Sequence, residues 1–161
     1  MKIATIFYHK NIKSIYKEEW IKQCVESVKN KTMDDFVVYE LNYGECDFNL
    51  CEEYDFDQEH NFYNFELDNH AEAMNFLLEA CLEDGCDVVF NNNMDDYSHE
   101  KRFEIQLSKI KQGYDIVSSN FQFVDADGLL GEKMTMSGKT ILTEFKRGNN
   151  IICHPSICYS K

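Results

Sequence analysis

The sequence predicts an α/β domain with a mostly parallel central sheet flanked by helices, and three observations carry that reading. Short runs rich in β-branched and aromatic residues recur at 3–8, 36–41, 87–90 and 115–119. Stretches with apolar residues at helical spacing separate them, over 18–31, 69–83 and 99–112. The first strand, helix and second strand follow one another through short connections, which makes a right-handed crossover and a parallel pair. A length of 161 residues suits one core around one sheet, so a single domain over 1–161 is expected.

Taken in order, the run 3–8 opens into the polar string His9-Lys10-Asn11. In 18–31, Ile21, Val25 and Val28 recur with Trp20 and Cys24 beside them, and Lys29 and Lys31 complement the negative end of a helix. The strand 36–41 turns at Asn42-Tyr43-Gly44. From 45 to 67, Glu52, Glu53, Asp55 and Asp57 mix with Tyr54, Phe56, Phe62 and Tyr63 without clear period, and an irregular insertion or flap over the site is expected. The helix 69–83 places Ala71, Met74, Leu78 and Cys81 on one face and stops at Asp84-Gly85.

The run Asp87-Val88-Val89-Phe90 has the length of a buried strand and empties into Asn91-Asn92-Asn93 and then Asp95-Asp96. The helix 99–112 carries Phe103, Leu107 and Ile110 and ends at Gly113. Residues 121–128 read as a strand entering a hairpin, because Asp127-Gly128 favours the positive φ of a tight turn. Asp125 and Asp127 also suggest a calcium loop, but the closing Glu of that pattern is missing. Residues 149–159 run polar, apolar, His154-Pro155 and a final apolar strand.

Composition excludes several partners. The chain is 43% hydrophobic with 12 Phe and 9 Tyr, which marks an ordered protein. Its net charge of −13 is spread along the chain and repels nucleic acid and anionic membrane surfaces. A small phosphate ligand stays open, since a bound divalent cation reverses the local field. The seven cysteines include no Cys-x-x-Cys pair and support neither a disulfide framework nor zinc. No stretch approaches the ~20 apolar residues of a membrane span. The opening apolar run is too short for a signal peptide, and a cytoplasmic setting is expected.

The chemistry concentrates at Asp95-Asp96. Ligands of open α/β sheets bind outside the carboxyl ends of the strands, where this pair falls. Oxygen-only donors suit Mg²⁺ or Mn²⁺. Taken alone, such a pair is more often a solvated turn or a helix cap than a metal site. A haloacid-dehalogenase-type phosphatase needs a nucleophilic Asp after the first strand, where Tyr8-His9-Lys10-Asn11 stands. No Gly-rich dinucleotide fingerprint follows that strand.

The order of these elements, with Asn93-Met94-Asp95-Asp96 after the central strand and the hairpin 123–128 beyond, resembles the GT-A glycosyltransferases of the family-2-like group over nearly the whole chain. The resemblance implies transfer of a sugar from a UDP- or GDP-linked donor to a glycan or other hydroxyl acceptor, with Mn²⁺ or Mg²⁺ and inversion. It implies that Tyr8, His9 and Asn11 flank the nucleotide base, that Glu40 or Asn42 contacts the nucleoside, and that His70, Ala71 and Asn75 lie along the nucleotide-facing helix. Asn93 would stand toward the ribose, Asp95 would bind the metal with Asp96 beside it, and His154 would reach the diphosphate, the acceptor or the metal. Asp96 and His154 are the catalytic candidates. Two departures matter: Asn93 replaces the first acidic residue of the motif, and the family's usual catalytic base lies farther along than Lys161. The second departure keeps a non-catalytic nucleotide-sugar-binding module as the alternative.

Overall fold

A run whose every residue is buried belongs in the middle of a sheet covered on both faces, and β1 (Ile3–His9) is that strand. The computed structural model describes residues 1–44, 47–125, 128–133, 139–149 and 151–161. After β1 come α1 (Ile12–Ile15), α2 (Glu18–Lys29), β2 (Val37–Asn42), α3 (Leu50–Glu53), β3 (His60–Asn64) and α4 (His70–Glu83). Then follow β4 (Val88–Asn91), α5 (Arg102–Ile110), β5 (Ile116–Val117), β6 (Phe121–Asp125), β7 (Gly128–Lys133) and α6 (Lys139–Lys146). A single 3₁₀ turn, His154–Ser156, leads into β8 (Cys158–Ser160).

The sheet order is β3-β2-β1-β4-β8-β5. β1 pairs parallel with β2 and with β4, so that Ile6 lies opposite Tyr39 on one side and Asn91 on the other. β8 runs antiparallel between β4 and β5. The mostly parallel α/β sheet read from the sequence is therefore the one observed. β6 and β7 form a separate hairpin with an irregularity between Phe123 and Val124. The turn residues 126–127 of the expected hairpin, Asp127 among them, lie outside the described residues.

Strand alternation sends side chains to two cores. On one face Phe7, Val38 and Phe90 pack against Cys24, Val25 and Val28 of α2 and Phe103, Leu107 and Ile110 of α5. Phe90 and Phe103 stack with centroids 4.1 Å apart. On the other face Ile6, Tyr8, Tyr39 and Leu41 meet Ala73, Leu77 and Cys81 of α4. That helix thus buries a stripe offset from the expected one: Asn69 caps it, and Ala71 falls in an exposed first turn.

The described part of the expected insertion or flap, 47–67, is more regular than its lack of period suggests. It holds α3, capped by the Asn49 side chain, and β3, which extends the sheet in parallel from β2. A four-residue helix and a half-exposed edge strand are both too short to show a period.

A buried polar clamp fixes this segment. Glu40 takes His9 Nε2 at 2.8 Å and accepts the backbone N–H groups of Leu50 at 2.6 Å and Cys51 at 3.1 Å. The His9 and Glu40 side chains are both 0% exposed. The polar atoms of these two residues, expected near the nucleoside, bond in the interior and join the strand ends to α3. Asn42 is equally buried, and its Oδ1 accepts the Gly44 N–H at 3.3 Å. Among the described residues no helix is long and apolar enough to cross a membrane.

Removing the Glu40 carboxylate leaves the His9 ring nitrogen and the N–H groups of Leu50 and Cys51 buried without their acceptor. Glu40→Ala is expected to lower the unfolding free energy by about 1–3 kcal/mol for each donor left unpaired, read in urea denaturation. Glu40→Gln, which keeps an acceptor oxygen, should cost less; equal losses from the two variants would contradict the clamp.

Candidate functional site

The end of β4 is held by one guanidinium. Arg102 donates from Nη2 to the Asn91 carbonyl at 2.6 Å, from Nη1 to Asn92 Oδ1 at 3.0 Å and from Nε to Gln106 Oε1 at 3.0 Å. Gln106 passes the constraint on, donating to the carbonyls of Ser156 at 2.6 Å and Val117 at 3.2 Å. Asn92 Nδ2 donates back to Thr5 Oγ1 at 2.6 Å. Three strands and the 3₁₀ turn are thereby tied to one helix. Arg102 is 7% exposed and has no ion-pair partner among the described residues. Burial draws its pKa down to about 10, which leaves it charged at neutral pH.

Beyond β4 the chain is pinned on both sides of the acidic pair. Met94 is buried in the α2/α5 core, and the Asn93 carbonyl accepts Cys24 Sγ at 3.0 Å. Past the pair, Lys31 Nζ donates to Ser98 O at 3.0 Å, Ser98 Oγ at 2.7 Å and His99 O at 3.1 Å, with Ser27 O also in its shell. Burial and then Arg102 pull the Lys31 pKa toward about 7, while these oxygen acceptors call for a protonated ammonium. Asp95 and Asp96 stand on the turn between the two anchors, and both residues are exposed overall.

The Asp96 carboxyl rises to about 6, through burial first and the neighbouring Asp95 second, with Arg102 working the other way. Both carboxylates also oppose ionisation of Tyr16 and Cys24, which puts the pair over the α1/α2 side. Two crowded carboxylates with no ion-pair partner among the described residues fit a hard divalent cation. Among the described residues no three His, Cys, Asp or Glu side chains converge for a metal. Two protein oxygens, completed by ligand phosphate and water, are a normal Mg²⁺ arrangement.

A second group of residues gathers on the α4 face. The Tyr8 ring lies 4.4 Å from the His70 ring, and Tyr43 Oη is 3.1 Å from His70 Nδ1. Asn91 Nδ2 donates to the His154 carbonyl at 3.0 Å. The Tyr8 hydroxyl and Asn91 Oδ1 are buried without a hydrogen-bond partner in the structure. Burial pushes the Tyr8 phenol up, and Asn91 beside it works the other way, although the two atoms do not meet in hydrogen-bond geometry. Burial lowers the pKa of His70 and of His154, and His154 lowers that of His70 further, so both rings are neutral at pH 7. Asn75 is exposed on α4. Asn11 adopts φ 50° at the start of α1. A Cβ on Gly44 would lie 2.7 Å from Asn11 Oδ1 and 2.9 Å from its backbone N, so only glycine lets the two loops meet there.

The expected site residues thus divide. Tyr8, His70 and His154 come together on the α4 face, while Asn93, Asp95 and Asp96 lie across the strand end. His154 has His70 among the groups it acts on. On the α5 side opens a cleft of about 810 Å³ that the sequence reading missed. Its walls include Asn93, Asp96 and Arg102 facing Ser118, Ser119 and Phe121. One signal was available: Arg102 and Gln106 sit four apart on the stripe that also carries Phe103 and Leu107, and polar residues on a buried stripe imply something polar to hold. The six described cysteines are unpaired. Burial raises Cys24 and Cys158 to about 12, which removes them as nucleophiles near neutral pH.

No protein-family model matches the chain, and no curated protein matches it in sequence. Solved structures do match. The S. aureus TarS fragment 1–349 in complex with UDP-GlcNAc superposes with a TM-score of 0.69 at 15% identity, covering 99% of this chain and 45% of that one. The mannosyltransferase PcManGT from Pyrobaculum calidifontis, in complex with GDP-Man and Mn²⁺, gives 0.58 at 12% identity over 73% of this chain and 35% of that one. A putative nucleotide-diphospho-sugar transferase from Desulfovibrio desulfuricans gives 0.51 at 16% identity over 72% and 57%. The chain has the GT-A-like fold of these transferases, and it spans less than half the length of the TarS fragment.

The raised Asp96 pKa has a consequence for stability. An unfolded carboxyl ionises near 3.8 and the folded one near 6, so the folded state binds the extra proton between them. The contribution of Asp96 is fully present below the lower value and is lost as pH rises through the upper one. Asp96→Asn is therefore expected to raise Tm at pH 7, with the gain shrinking as pH falls from about 6 and gone below about 3.8. A gain independent of pH in thermal melts would contradict the assignment.

Proposed function

We propose that this chain is the donor-binding and catalytic domain of a glycosyltransferase that moves a sugar from a UDP- or GDP-linked donor to a hydroxyl acceptor. The observation that carries the reading is the placement of Asp95-Asp96, crowded and without an ion-pair partner among the described residues, at the carboxyl end of β4 in this fold. TarS in complex with UDP-GlcNAc and PcManGT in complex with GDP-Man and Mn²⁺ support the donor class.

His70, backed by the buried rings of Tyr8 and Tyr43, offers its ring to the nucleotide base, with Asn11 and Asn75 at its margins. His9, Glu40 and Asn42 act from the interior by fixing the loops beside these rings. Asn93 faces the ribose, and neutral His154 lies on the diphosphate side with a ring N–H to donate. Asp95 would hold Mn²⁺ or Mg²⁺ beside the donor diphosphate. The bound ion supplies Lewis-acid neutralisation of the charge that builds on the leaving diphosphate.

The acceptor hydroxyl oxygen forms a bond to the anomeric carbon as the bond from that carbon to the phosphate oxygen breaks. The nucleoside diphosphate leaves with the electron pair, the acceptor proton passes to the Asp96 carboxylate, and the anomeric centre inverts.

Thermal melts with UDP, GDP and their sugar conjugates, with and without Mn²⁺, test the reading. A nucleotide at 100 times its dissociation constant is expected to add ~2.7 kcal/mol. The metal-dependent part should vanish in Asp95→Ala, and sugar release from the matching donor should be lost with it. No stabilisation by any nucleotide in either metal state would overturn the proposal. Metal-dependent stabilisation without sugar transfer or hydrolysis would favour the binding-module reading.

A further inference from the structure

We infer that the cleft between α5 and β6 binds the acceptor, and that this acceptor is a neutral, hydroxyl-rich sugar. The word acceptor rests on the transferase reading above; the class of ligand rests on the cleft itself.

Position comes first. β4 separates the two halves of the site: Asn91 turns toward α4 and the His154 carbonyl, and Asn92 turns toward Arg102. Tyr8 and His70 take no part in the cleft wall, whereas Asn93 and Asp96 do. A donor on the α4 face and a second ligand in the cleft would meet at residues 93–96. A two-substrate displacement requires that convergence.

The lining decides the class. At about 810 Å³ the cleft is of ligand size. Its polar lining is dominated by side-chain amides and hydroxyls; Asn92, Gln106, Ser118 and Ser156 are bonded within the wall, while Asn93 Oδ1 is buried without a partner among the described residues and is suited to a ligand hydroxyl. The charge of Arg102 is already engaged: three of its nitrogens donate inward to Asn91, Asn92 and Gln106. Asp96 on the rim and a net charge of −13 oppose an anionic ligand. Tyr97 at 57% exposure, Ile105 at 55% and Val124 at 45% edge the same space. Exposed apolar and aromatic side chains around convergent polar groups suit the alternating C–H and O–H faces of a sugar ring.

Amide-resolved NMR titrations of the full chain test this. The probes are neutral methyl glycosides and short neutral oligosaccharides, their uronic acid and sugar-phosphate counterparts, and, in separate samples, UDP and GDP with Mg²⁺. Neutral sugars are expected to shift signals of residues 97, 105 and 118–121 in the absence of nucleotide. Tyr97→Ala, at an exposed position, should fold normally and weaken that binding at least tenfold while leaving nucleotide stabilisation intact. Nucleotide binding together with no sugar response in the cleft would overturn the inference. A response confined to the anionic sugars would overturn it as well and reassign the cleft to Arg102. A neutral-sugar response with no nucleotide effect would uphold the cleft as a sugar site while overturning the transferase reading.

Discussion

Everything about the site depends on how Arg102 holds the end of β4. A strand stops where its ladder partners stop, and the residues beyond are free to wander unless something catches their polar groups. Here one guanidinium takes a main-chain carbonyl, an asparagine amide and a glutamine, and that glutamine in turn takes β5 and the 3₁₀ turn. Lys31 performs the same service for Ser98 and His99 on the far side of the acidic pair. Asp95 and Asp96 are therefore presented on a short bridge anchored at both ends. Their mutual repulsion cannot be relieved by the turn swinging away, and it is available to a cation.

Two cations buried without ion-pair partners among the described residues are costly in isolation. They are tolerated because carbonyl, amide and hydroxyl oxygens surround them, and for Arg102 the charge of Asp96 adds to that. Arg102 in turn limits how far the Asp96 carboxyl rises. The electrostatics of the turn and the mechanical support of the strand end are thus the same interaction seen from two directions.

The long elements were legible because they show a period. Phe103, Leu107 and Ile110 mark α5, and the continuous apolar runs mark β1, β2 and β4. What stayed hidden was short, edge-exposed or rotated. β3 reads HNFYN and needs no apolar pattern at the margin of a sheet. The α4 stripe was offset because the capping residue, which sets the first turn, was not used to fix its phase. In the site, the place of Asp95-Asp96 beyond the end of β4 followed from the strand reading, whereas Tyr8 and His70 were pointed to only by the family resemblance. The interior fate of His9 and Glu40 did not, although period-two alternation places His9 with Phe7 and Glu40 with Val38 on one face. The cleft was invisible because its walls come from segments far apart in sequence, 92–106, 118–124 and 153–156.

The central claim is that a divalent cation and a nucleoside diphosphate meet at the Asp95-Asp96 turn, with the nucleoside toward α4. Paramagnetic broadening of amide signals by substoichiometric Mn²⁺, recorded with UDP or GDP present, reads this directly. The account predicts that signals of residues 93–97 are lost first while those of Tyr8, His70 and Ala71 shift with the nucleotide. Broadening centred on the acidic segment 52–59, with 93–97 left sharp, would contradict it.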